Sequence, residues 1–111
     1  MPSPPLVPDQ TPLDLVHLDR VTFGDVGLQA EVLALFAAQT AVLMPELVAR
    51  PHQAGALAHT LKGSAKAIGA HRVAEAAEAF EDAPHAQQAL RELQNAVIAA
   101  CAAIDARLLR C

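Results

Sequence analysis

The chain has 111 residues, enough for one domain and one core. It is 53 % hydrophobic with 3 % aromatic residues and no Trp or Tyr, so that core is aliphatic, built from Ala, Leu, Val and Ile, and leans towards helix. A net charge of −4 without any basic run argues against a general nucleic-acid binder.

Residues 1–12, "MPSPPLVPDQTP", carry five prolines and no hydrophobic period. They read as a flexible or extended lead-in to a domain over 13–111. With no basic or apolar region of the required kind, they do not read as a signal peptide. Leu13, Val16 and Leu18 suggest a short helix within 13–22. Asp25 is a candidate N-cap for the next helix, in which Leu28, Val32, Leu35, Phe36, Leu43, Leu47 and Val48 recur at three- and four-residue steps. Pro45 is expected to kink or restart that helix, and Pro51 to end it.

A third helix is expected over about 52–68, with Gly69 as its left-handed cap, and a fourth over about 71–82. The fourth turns Val73, Ala76, Ala77 and Phe80 inward. Glu75, Glu78 and Asp82 lie on its other side, with Glu81 adjacent. Pro84 marks the start of the last helix, which takes His85 into its first turn. Its seam is Leu90, Leu93, Val97, Cys101, Ile104 and Leu108. These elements predict an all-α protein: an antiparallel four-helix bundle with a short extra N-terminal helix. No stretch reads as an apolar membrane span, and Cys101 and Cys111 read as reduced thiols, so a cytoplasmic protein without membrane contact is expected. One apolar seam per helix with a polar exterior favours a monomer.

The third helix holds both lysines of the chain, in "ALAHTLKGSAKAIGAH" (56–71). At about 100° per residue, Ala54, Leu57, Ala58, Leu61, Ala65 and Ile68 form one buried stripe, and His59 points about 150° away from it. Lys62 and Lys66 fall on one flank of His59, and the small residues Ala56, Thr60, Gly63 and Ala67 on the other. Gly63 costs about 1 kcal/mol relative to Ala in a helix, which suggests a close approach there. An exposed imidazole between cations and a low surface suits an incoming anion. Nearby positive charge favours the neutral, nucleophilic imidazole. With no P-loop or other nucleotide-binding motif present, a phosphoryl group delivered by another protein fits best.

"AHTLKGSAKAIGA" (58–70) resembles the signature of histidine-containing phosphotransfer (HPt) domains through His59, Leu61, Lys62, Gly63, Ser64 and Gly69. "RVAEAAEAFE" (72–81) resembles the helix that follows it in that family. The resemblance implies a phosphoryl carrier without its own kinase or ATP site. His59 would accept the group on Nε2 from a receiver-domain aspartyl phosphate and pass it to another receiver. Lys62 would neutralise the phosphoryl oxygens, and Gly63 would admit the receiver's loops; Lys66, from its place on the helix, is added to the site. No cofactor and no metal of its own is implied, because Mg²⁺ would come with the receiver domain of a response regulator or hybrid histidine kinase.

Two other readings remain at this point. The bundle is a docking module without phosphotransfer, or it holds a divalent ion at His71, Glu75 and Glu78. His17 and His52 read as surface residues at helix ends.

Overall fold

The computed structural model describes residues 11–109, so most of the lead-in expected over 1–12 lies outside the described residues, as does Cys111. Five α-helices occur: α1 (Leu15–Val21), α2 (Val26–Ala49), α3 (Ala54–Ile68), α4 (His71–Asp82) and α5 (Gln87–Leu109). A 3₁₀ turn, Pro51–Gln53, joins α2 to α3. α2 packs on α3, α3 on α4, α4 on α5, and α5 closes the ring on α2. The result is the expected antiparallel four-helix bundle, with α1 laid against α3.

The helix ends follow from local chemistry. The Asp25 carboxylate accepts the Leu28 N–H at 3.0 Å and starts α2. Gly69, at φ 85°, ends α3, with the Ala70 N–H donating to Ala65 O. Inside the ring, Leu33, Leu61, Leu93, Ile104 and Val73 are fully buried. Each such side chain contributes about 1.5–3 kcal/mol relative to an exposed one.

Several expectations are corrected. Pro45 does not restart α2, which runs unbroken through it for 24 residues. Leu35 and Val48 face solvent at 69 % and 52 % exposure, whereas Leu33, Gln29 and Thr40 are buried. α2 is apolar on every side, so its spacing could not say which side faces the core. By length and composition it is also apolar enough to cross a membrane, contrary to the sequence reading. In the fold, one face of it is occupied by α3 and α5. α5 begins at Gln87, which leaves His85 in the preceding turn.

α1 is fastened at both ends. Asp14 caps it through the His17 N–H at 3.0 Å and meets His71 Nε2 at 2.9 Å. The Asp14 N–H donates to Gly69 O at 2.9 Å. His17 is therefore more than a surface residue: its Nε2 lies 3.1 Å from Ala67 O, a carbonyl in the last turn of α3, where intrahelical donors run out. His52 stays exposed in the 3₁₀ turn. At the other end, Gln29 donates to Asp19 and accepts from Arg107, which ties α1 to α2 and α5.

Candidate functional site

α3 presents its buried stripe, Ala54, Ala58, Leu61, Ala65 and Ile68, to the core. The opposite face therefore carries His59, whose side chain is 68 % exposed. Ala56, Thr60, Gly63, Lys66 and Ala67 are exposed around it. A Cβ placed on Gly63 would meet nothing within 4 Å, so no neighbour in the fold requires glycine there. The surface beside the imidazole is low because its residues are small.

The two lysines, treated alike in the sequence reading, behave differently. Lys62 lies back on the surface with its side chain 18 % exposed, and its Nζ is 2.9 Å from Glu81 Oε1. Lys66 stands one turn further on, exposed and at the solvent face. Glu81, in the last turn of α4, also reaches His59: its Oε2 lies 3.1 Å from Nδ1. One carboxylate thus joins the imidazole to the lysine, and the imidazole is not flanked by cations alone as expected.

The electrostatics follow from this contact. The Lys62 ammonium, and secondarily His59, hold the Glu81 carboxyl below its ordinary value. The same bond to Glu81 raises Lys62 above its ordinary value, with Glu78 and Asp82 adding to it. Both side chains of the pair are therefore ionised around neutral pH.

Glu81 is the site residue that the sequence reading passed over, having set it beside the solvated acidic face of the fourth helix. Glu75, Glu78 and Asp82 are exposed in that way, but Glu81 turns back towards α3. A signal for it was present. His59 precedes the Gly69 turn by ten residues and Glu81 follows it by twelve, so an antiparallel α3–α4 hairpin brings the two level.

The arrangement defines one ring nitrogen chemically. A carboxylate at Nδ1 accepts the proton there, so the neutral ring holds its hydrogen on Nδ1 and its lone pair on Nε2. At the other histidine cluster, His71 meets the Asp14 carboxylate through Nε2 at 2.9 Å rather than Glu75 or Glu78. Among the described residues, no group of three or more His, Cys, Asp or Glu is arranged to hold a metal ion.

On α3 an exposed imidazole, a lysine at the next turn and a glycine beside it form the arrangement that a phosphoryl carrier would require. A family model described as Hpt domain matches residues 30–107, a span that includes α3 and α4 whole. The chain belongs to the Hpt domain family, and its general activity is histidine phosphotransfer in two-component phosphorelays, where Hpt domains interact with receiver domains. Comparison with curated proteins and with solved structures finds no significant match.

Proposed function

We propose that His59 is the phosphoacceptor of a phosphorelay shuttle, taking its phosphoryl group from an aspartyl phosphate on one receiver domain and passing it to another. The observation that carries this reading is the 3.1 Å contact of Glu81 with Nδ1 on an otherwise solvent-facing imidazole. It turns the lone pair on Nε2 outward, where a partner's phosphorus can arrive.

In the forward step the Nε2 lone pair forms the N–P bond. The acyl P–O bond breaks with its electron pair going to the partner's carboxylate. The Nδ1 proton stays in place, held by Glu81, so the positive charge on the phosphorylated ring is met by an anion 3.1 Å away. The return step is the reverse, with a second carboxylate attacking phosphorus and His59 leaving as neutral imidazole.

Lys62 stands one turn from His59 and turns from Glu81 to the phosphoryl oxygens as they arrive. Gly63 lets the receiver's backbone come close, and exposed Lys66 supplies longer-range attraction for the anionic centre. The Mg²⁺ that phosphoryl transfer needs belongs to the receiver, and the chain contributes no cofactor. The shuttle works in the cytoplasm.

The test is intact-mass spectrometry at neutral to alkaline pH after mixing the protein with a phosphorylated receiver domain. Wild type gains one acid-labile phosphoryl group and His59→Gln gains none. A gain retained by His59→Gln would assign the chemistry elsewhere. Receiver binding with no gain in either protein would favour a docking module.

A further inference from the structure

Between α2 and α5 runs a groove of about 890 Å³, with Met44, Val48, Val97, Ile98 and Cys101 among its walls. Asp105, at one end, is its charged lining residue. In the helix ring this seam lies across from the α3–α4 seam that carries His59 and Glu81. Along it, Val48 and Ile98 are 52 % and 66 % exposed, so the exterior here is not the polar one from which a monomer was expected. An apolar patch beside an open groove marks a contact surface.

The pattern along α5 indicates what covers it. Arg91, Ile98 and Asp105 follow one another at seven-residue steps, all exposed. Seven residues are close to two helical turns, so the three side chains stand on one line at intervals of about 10 Å. A cation, an apolar residue and an anion, equally spaced, are complementary to the same line run backwards. With Ile98 on a two-fold axis, Arg91 of each chain meets Asp105 of the other. Exposed Ala102 and Asn95 beside Ile98 leave room for the helices to approach. A two-fold contact requires such self-complementarity, because one patch must serve as both partners.

We propose that the occupant of this face is a second copy of the chain, packed antiparallel along α5, with Ile98 at the axis and an Arg91–Asp105 ion pair on each side. Ile98 and the neighbouring Val48 of each copy close over the groove. Both His59 side chains remain open on the outer faces, so pairing and phosphotransfer are independent.

Sedimentation velocity of the full chain under reducing conditions, over a concentration series, tests this. A reversible dimer is expected, and Ile98→Lys raises its dissociation constant more than tenfold. Arg91→Asp and Asp105→Arg each weaken it about tenfold, since each removes two exposed pairs and sets like charges together. The double variant Arg91→Asp/Asp105→Arg restores it. Circular dichroism establishes that each variant is folded, and His59→Gln dimerises as wild type does. A wild-type chain that stays monomeric at every concentration overturns the proposal. So does a dimer that is indifferent to Ile98→Lys and to the charge exchanges.

Discussion

Glu81 Oε2 lies 3.1 Å from Nδ1 of His59, and the same carboxylate meets Lys62 Nζ at 2.9 Å through its other oxygen. The tautomer of the imidazole and the position of the lysine are therefore set by one side chain on the neighbouring helix. Glu81→Ala is expected to leave the bundle folded and to slow phosphoryl acceptance several-fold. Glu81→Gln, whose amide oxygen still accepts from Nδ1–H, recovers part of the rate. Time courses of acid-labile phosphorylation with one receiver check this; equal rates in Glu81→Ala and wild type would remove Glu81 from the chemistry.

Gly63 separates stability from function. Its Cβ position is open, so Gly63→Ala is expected to stabilise the protein by about 0.5–1 kcal/mol in urea titration. Transfer is expected to slow at the same time, and more so with Gly63→Leu, because the partner loses its close approach. A substitution that raised stability and left transfer unchanged would show that nothing needs the glycine.

Gly69 is the opposite case. At φ 85° its added Cβ would stand 3.0 Å from the Asp14 carbonyl oxygen and 3.2 Å from His17 Cδ2. Gly69→Ala is expected to cost at least about 1–2 kcal/mol from backbone strain alone and to loosen α1 from the α3–α4 turn. Amide hydrogen exchange should report faster opening in α1 than in α5.

The Asp14 clasp predicts an acid dependence. The His17 N–H, with His71 second, holds the Asp14 carboxyl below its ordinary 3.8. A depressed carboxyl contributes stability that is present above the unfolded value and lost as pH falls through the native one. Asp14→Asn keeps an N-cap acceptor but no charge. The stability gap between wild type and Asp14→Asn is expected to be open at neutral pH and to close below about pH 3.8. Melting temperatures over a pH series measure it; a gap that does not change with pH would contradict the assignment.

How far the sequence carries depends on whether a feature is local. Asp25 and Gly69 act on their own helix ends, and α3 has a distinct polar side, so its boundaries and the exposure of His59 could be read directly. α2 has no polar side, and its burial is set by where α3 and α5 pack; Leu35 therefore looked internal and Leu33 was missed. Glu81 shared helix four with three solvated acids, and only the α3–α4 pairing sets it apart from them. His17 and His71 likewise gained partners that come from distant parts of the chain.

The most direct measurement is the site of phosphorylation by ¹H–¹⁵N correlation of the imidazole rings, recorded after transfer from a phosphorylated receiver. The phosphoryl group is expected on Nε2 of His59, with the proton retained on Nδ1 towards Glu81. A group on Nδ1, or on any of the other four histidines, would contradict the proposed geometry.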